Sequence, residues 1–174
     1  RASGTSSDTE IRLIGVPGQT VLDLRDEDGG GKPGSGSAAI EIVPVPGKPS
    51  DPRQPTEISG FTILGGGTAI SSSGGALYAH HNIIVGAATG IHVDTAGSGT
   101  ILHNTIHGAT ARAILVESAN VAIRNNLLTL CAKGIEAGAG VAITAPYNGF
   151  SGNGADTAGG VTLGTGTLRS DPLY

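Results

Sequence analysis

Large side chains are scarce in this sequence. It contains no methionine and no tryptophan, and its aromatic residues are three tyrosines and two phenylalanines. A core built around large rings is therefore excluded, and the 38% hydrophobic share comes mostly from Ile, Val, Leu and Ala. Thirty glycines accompany these side chains. Because β-branched residues suit pleated strands and glycines mark turns, the composition favours closely repeated short strands over a helix bundle.

Cysteine occurs once, so an internal disulfide framework is excluded. Cys131 follows the apolar run Leu127–Leu130, and free cysteines of this kind are usually buried. We therefore expect an unreactive core thiol rather than a nucleophile.

Long apolar runs and excess positive charge are also missing. No stretch approaches the roughly 18 to 20 apolar residues that cross a bilayer, so we expect no membrane partner. The formal net charge is −4, which provides no basic stripe for a phosphate backbone, and the few aromatics form no platform for bases. We therefore expect no nucleic-acid partner.

The length of 174 residues fits one domain.

A repeat of 22 residues organises the chain from residue 82 onward. Four asparagines recur at this interval, apolar residues follow them two positions later, and Ile101 and Ile123 add a third column. The first two columns are Asn82, Asn104, Asn126, Asn148 and Ile84, Ile106, Leu128, Phe150. A fixed period of this length indicates a solenoid.

A second strand per repeat is indicated by segments in which apolar and polar residues alternate. These segments are Thr68–Ser71, Thr89–His92, Arg112–Leu115 and Lys133–Glu136. The side chains expected to face the core are Ile91, Val93, Ile114, Val116 and Ile135. Such a strand is too short to bury its face alone, so the next coil, about 4.8 Å away, has to complete the hydrogen bonds and the core.

The repeated asparagines are expected at a corner between strands. Asn tolerates the left-handed backbone conformation, and its amide can bond the same amide one coil away. We interpret the column as an internal structural ladder.

Several segments resemble the right-handed parallel β-helix repeats of pectate-lyase-like proteins. They are Val16–Asp23, Ile58–Ile63 and Asn125–Leu128, while Tyr147–Phe150 and Ser170–Tyr174 resemble the closing coils of bacterial surface members. The resemblance extends from about residue 11 onward. It implies an all-β, right-handed parallel β-helix of about 22 residues per coil in an extracellular or cell-envelope protein, and parallel crossovers are right-handed in general.

The domain organisation expected from this pattern is one β-helix over 11–174 after a flexible polar segment, 1–10. Ile11–Leu24 and Ile40–Val45 are predicted strands. Two regions rich in Gly, Pro and charge are expected to protrude as loops, near 25–37 and 46–56. Solenoid ends expose unpaired strands, and no amphipathic capping helix is visible at the start. We therefore expect the ends to be covered by self-association or by further chain.

Stacking the second strand places outward side chains above one another. The predicted columns are Ser71, His92, Leu115, Glu136 and Ser73, Asp94, Glu117, Gly138, with Arg112 and Lys133 just before them. Asp94 and Glu117 would lie on adjacent coils, close enough to share Ca²⁺ through hard oxygen ligands. The alternative is a solvated face of paired charges, each pair worth at most about 1 kcal/mol.

From these columns we interpret the chain as a non-catalytic module, either structural or glycan-binding, without a required cofactor; the resemblance implies that the module belongs to a secreted or surface protein. The carbohydrate-binding candidates are His92, Asp94, Glu117 and Glu136. The alternative that the resemblance implies is a polysaccharide lyase performing calcium-assisted β-elimination on a uronate polymer. Asp94, Glu117 and an offset Glu136 would hold calcium, and Arg112 or Lys133 would be the base. Glycoside hydrolysis ranks third, because no aromatic wall is visible to raise the pKa of an acid.

Histidines form a further candidate group, with His80, His81, His103 and His107 predicted near one corner. Zinc needs three or four ligands, and no Cys or Asp completes this group at matching positions. The sequence therefore favours a stacked, hydrogen-bonded pair of His81 and His103 over a metal site. His92 stands alone on another face.

Overall fold

The computed structural model describes residues 12–15, 20–24, 38–43 and 55–172, and all regular elements in these ranges are β-strands. The segment 1–10 and the loop near 25–37 lie outside the described residues, as does most of the loop near 46–56. In chain order the strands are β1 (Arg12–Ile14), β2 (Val21–Asp23), β3 (Ala38–Ile42), β4 (Thr56–Ser59), β5 (Thr62–Leu64), β6 (Thr68–Ser72), β7 (Ala76–His80), β8 (Ile83–Val85), β9 (Thr89–Val93), β10 (Ser98–Leu102), β11 (Thr105–His107), β12 (Arg112–Val116), β13 (Val121–Arg124), β14 (Leu127–Thr129), β15 (Lys133–Ala137), β16 (Ala142–Ala145), β17 (Gly149–Ser151), β18 (Ala155–Ala158), β19 (Gly160–Leu163) and β20 (Leu168–Arg169).

Three parallel sheets run along the molecule, and the chain visits them in turn. The first sheet has the order β1-β4-β7-β10-β13, the second β2-β5-β8-β11-β14-β17-β20, and the third β3-β6-β9-β12-β15-β18, while β16 and β19 form a separate parallel pair. Within each sheet, neighbouring strands are three positions apart in the chain, as a β-helix requires. Five complete coils extend from β4 to β18. The predicted all-β parallel solenoid is confirmed.

The alternating segments and the two apolar columns of the sequence correspond to the three sheets. The alternating segments are β6, β9, β12 and β15 of the third sheet, and the column that begins at Ile84 lies in the second. Ile101 and Ile123 mark the first sheet. The predicted strand over Ile11–Leu24 is two strands, β1 and β2, because the chain changes sheets between them.

Aliphatic columns fill the interior. In the third sheet, Ile70, Ile91, Ile114 and Ile135 pair in register across successive coils, and all four side chains are fully buried. The five side chains predicted to face the core have no exposed surface, which confirms the predicted alternation. Complete burial of an aliphatic side chain contributes about 1.5–3 kcal/mol, so the repeated column is a main source of stability.

The asparagine ladder is present at the corner between the first and second sheets. The side-chain amide of Asn82 donates to Oδ1 of Asn104 at 3.0 Å, Asn104 donates to Asn126 at 3.0 Å, and Asn126 donates to Asn148 at 3.0 Å. Each acceptor oxygen also receives the backbone N–H of the preceding asparagine, at 2.9–3.1 Å. All four residues are buried. The ladder therefore satisfies polar groups that would otherwise be costly to bury.

The left-handed conformation belongs to the residue before each ladder asparagine. The expectation that the asparagines themselves adopt it was wrong. The residues with positive φ at this corner are Gly60, His81, His103, Asn125 and Tyr147. The turn requires one left-handed residue per coil, and the next residue then points its amide inward to bond its neighbours.

Replacing Ile114 by Ala should lower the free energy of unfolding by about 2–5 kcal/mol, because it leaves a cavity in a fully buried column. Glu117→Ala on the same coil should change it by about 0.5 kcal/mol at most, since Glu117 is an outward charge. Urea denaturation of both variants measures the difference. The reverse order would show that the assignment of inward and outward faces is wrong.

Replacing Asn104 by Ala should cost about 3 kcal/mol or more, since it leaves several buried amide and carbonyl groups without partners. The matched control is Asn125→Gly, which alters the exposed residue at the left-handed position of the next coil and leaves the ladder intact. That control should stay within about 0.5 kcal/mol of the wild type in thermal or urea denaturation. Equal stability of the two variants would refute a stabilising ladder.

Candidate functional site

The outer face of the third sheet brings together most of the predicted site residues. We refer to His92, Arg112, Glu117, Lys133 and Glu136 as the third-sheet face. His92 Nε2 lies 2.9 Å from Glu117 Oε2, Arg112 Nε lies 2.9 Å from Glu136 Oε2, and Lys133 Nζ lies 2.6 Å from Glu136 Oε1. The register places His92, Leu115 and Glu136 in one outward column, as predicted.

Glu136 is the centre of this face, because both basic candidates contact it. Arg112 Nε and Glu136 Oε2 are both buried, yet their relative orientation is not that of a hydrogen bond. We therefore treat that contact as an attraction between charges, and the Lys133 contact as a charge-assisted hydrogen bond. The side chains remain 20–40% exposed, so solvent screening limits each pair to about 1 kcal/mol.

Asp94 lies at the corner where the chain leaves the third sheet, beside the coil that contains Glu117. Its Oδ1 accepts the backbone N–H of Ala96 at 3.0 Å, and its carbonyl accepts that of Gly97 at 3.0 Å. Asp94 thus shapes the turn over residues 94–97. Within the described residues, no three His, Cys, Asp or Glu side chains form a group that could hold a metal ion. Calcium binding by Asp94 and Glu117 stays a prediction.

The histidine corner is more connected than the sequence indicated. His81 and His103 stack with ring centroids 5.1 Å apart and an interplanar angle of 16°, as predicted. The hydrogen bond, however, joins His80 Nδ1 to His81 Nδ1 at 2.7 Å, and His80 Nε2 lies 3.0 Å from Glu57 Oε1. Nearly parallel rings direct their nitrogen lone pairs side by side instead of toward one metal ion.

His107 does not belong to this corner. It lies at the far end of β11 on the second sheet, where its Nδ1 is 2.9 Å from the hydroxyl of Thr129. Sequence reasoning placed it too close because it treated residues 103–107 as one corner, whereas β11 separates the two ends. Glu57 was overlooked, although it occupies the position paired with Tyr78 on the next coil.

A concave groove that sequence reasoning missed lies where the chain passes from the third sheet to the first. Its volume is about 650 Å³. We define this corner groove by the polar side chains that line it: Tyr78, Thr95, Ser98, Thr100 and Asn120. Tyr78 and Thr100 are register partners on β7 and β10, Thr95 belongs to the 94–97 turn, and Asn120 precedes β13. Residues from three coils line the groove, so no single sequence repeat contains a pattern that would have predicted it.

Cys131 is in the core, as expected, with 2% of its surface exposed. Burial raises the pKa of the Cys131 thiol above its ordinary value, and backbone groups of Ala109, Gly108 and Thr129 offset part of this increase. The sulfur lies 3.3 Å from the Thr129 carbonyl and 3.7 Å from that of Ile106. At neutral pH a raised pKa reduces the reactive thiolate fraction, so Cys131 is a poor nucleophile.

Native protein at neutral pH should therefore react with iodoacetamide at least about tenfold more slowly than the same protein in denaturant, because unfolding exposes the thiol and restores its ordinary pKa. Mass spectrometry of the alkylated chain over time measures both rates. Equal rates would mean that Cys131 is accessible in the native fold.

Comparison with known proteins identifies the architecture alone. The profile of the family described as "Right handed beta helix region" matches residues 52–169. No curated protein and no solved structure matches the chain. None of the described residues forms a helix with the length and hydrophobicity that spanning a membrane requires.

Proposed function

The chain belongs to the right-handed β-helix family, and from this premise we propose that it is a non-catalytic module that binds a polysaccharide along the third-sheet face. The proposal includes a secreted or cell-surface location for the protein. The supporting observation is a row of polar contacts on the third sheet: His92–Glu117 and Arg112–Glu136 join adjacent coils, and Lys133–Glu136 lies within one strand.

The spacing of this row suits an extended glycan. Successive strands of a sheet lie about 4.8 Å apart, which is close to the advance per sugar ring in an extended polysaccharide. Carboxylates and guanidinium groups form two-pronged hydrogen bonds with neighbouring hydroxyls or with a uronate carboxylate. Because His92, Arg112 and Lys133 are already held by carboxylates, the face loses little conformational entropy on binding.

Binding is favoured over lyase chemistry by the contacts of the candidate catalytic groups. Arg112 and Lys133 are both directed at Glu136, and one oxygen of Asp94 is used by the 94–97 turn. A lyase needs a base directed at the substrate and carboxylates directed at the metal. These side chains are instead directed at one another.

The test is isothermal titration calorimetry with polygalacturonate, alginate and chondroitin, each with and without calcium. Glu136→Gln weakens both cation contacts and should reduce affinity for the bound polymer about tenfold, as expected for the loss of one charge-assisted hydrogen bond and one attraction between charges. The matched control is Arg169→Gln, which removes the ion pair between Arg169 of the second sheet and Asp156 of β18 and involves no residue of the third-sheet face. That control should leave affinity unchanged.

Two outcomes would contradict the proposal. Equal binding by Glu136→Gln and the wild type would place the glycan elsewhere. A calcium-dependent rise in the ultraviolet absorbance of unsaturated uronate products, abolished by Glu117→Gln, would establish a lyase instead of a non-catalytic module.

A further inference from the structure

We infer that the corner groove binds a neutral oligosaccharide, at a site separate from the third-sheet face. The inference rests on the proposed function only for the class of ligand, a saccharide. Its evidence is the shape and chemistry of another surface, at the junction of the third and first sheets.

The groove has the size of a small-ligand site, and two glycines form part of its lining. Its volume of about 650 Å³ falls within the roughly 300–1,000 Å³ typical of such sites. Gly97 and Gly99 contribute to the lining. A Cβ atom at Gly99 would meet the Leu77 carbonyl oxygen at 2.2 Å, so the close approach of the two coils requires glycine there. The concavity is thus built into the backbone.

No charged residue lines the groove, and its polar side chains favour a neutral ligand. Hydroxyl groups come from Tyr78, Thr95, Ser98 and Thr100, and an amide comes from Asn120. None of these five side chains hydrogen-bonds to another group in the described part of the chain. The third-sheet face differs, because its polar side chains contact one another. Unpaired hydroxyl and amide groups in a concave surface are suited to bonding the hydroxyls of a sugar.

Tyr78 supplies the aromatic surface of the groove, and its ring is held in place. It packs on the imidazole of His80 with centroids 4.3 Å apart and an interplanar angle of 41°. His80 is in turn fixed by Glu57 at 3.0 Å and by His81 at 2.7 Å. The histidine corner therefore has a positioning role, and a tyrosine held in this way contributes contact area at low entropic cost.

Asp94 is a positioning residue for the opposite wall. Its carboxylate and its carbonyl accept the N–H groups of Ala96 and Gly97, which orients the turn that contains Thr95. An asparagine at this position would keep an oxygen acceptor for the Ala96 N–H, whereas an alanine would not. Comparison of Asp94→Asn with Asp94→Ala therefore distinguishes the effect of turn shape on binding from the effect of the negative charge.

The experiment titrates the ¹⁵N-labelled full chain with cellohexaose, xylohexaose, mannohexaose and laminarihexaose and follows the amide spectrum. At least one oligosaccharide should bind, with shifts concentrated at residues 95–100 and at the Asn120 side chain. Tyr78→Ala and Asn120→Ala should each weaken binding about tenfold, as loss of one well-placed contact does. Tyr147→Ala, which removes an exposed tyrosine outside the groove, should not.

Asp94→Ala should weaken binding as strongly as Tyr78→Ala, and Asp94→Asn should retain wild-type affinity. Each variant is first shown to be folded by its circular dichroism spectrum and thermal transition. No binding of any of the four oligosaccharides would overturn the inference, as would binding that Tyr78→Ala leaves unchanged.

Glu136→Gln distinguishes this inference from the proposed function. It should leave oligosaccharide binding in the groove unchanged while reducing polyuronate binding. Oligosaccharide binding without polyuronate binding would support the groove and refute the third-sheet face, and the opposite result would do the reverse. If Glu136→Gln weakened oligosaccharide binding and polyuronate binding to the same extent, the claim of separate sites would be contradicted.

Discussion

In-register pairing of parallel strands between coils is the interaction on which the rest of this structure depends. Each strand takes its hydrogen bonds and its buried neighbours from the coils above and below, so a residue's environment repeats along the axis. Side chains that stack well on themselves are therefore favoured at each position. The isoleucine columns satisfy this condition by packing, and the asparagine ladder satisfies it by hydrogen bonds at a corner where the backbone turns.

The same constraint explains where recognition surfaces arise. Stacking brings outward residues of adjacent coils close together, so like charges would repel, and the third-sheet face alternates acids with bases that pair across coils. The turns between the third and first sheets are not paired as β-strands, so their course is less constrained than that of the strands. The corner groove lies at one of them, between a turn shaped by Asp94 and a tyrosine supported by the histidine corner.

Much of the fold could be predicted because the repeat is visible in the regular spacing of Asn and Ile along the sequence. The buried faces of β9, β12 and β15 follow from alternation alone, as does the column of Glu136 with His92. The partners of these side chains could not be predicted. Arg112 contacts Glu136 of the next coil, and His92 contacts Glu117 in the adjoining column. A long side chain can contact a residue in the neighbouring column of the next coil as easily as the residue in register with it.

The sequence by itself determined the coil length, the inward face of β9, β12 and β15 and the presence of a ladder, since these depend on residue types repeated at a fixed interval. Only the tertiary structure decided which corner residue takes the left-handed conformation, that His107 lies apart from His81 and His103, and that a groove forms beside Tyr78. The physical reason is that these features depend on the path of individual turns. That path is set by contacts among three neighbouring coils, whereas a sequence repeat records the properties of one coil at a time.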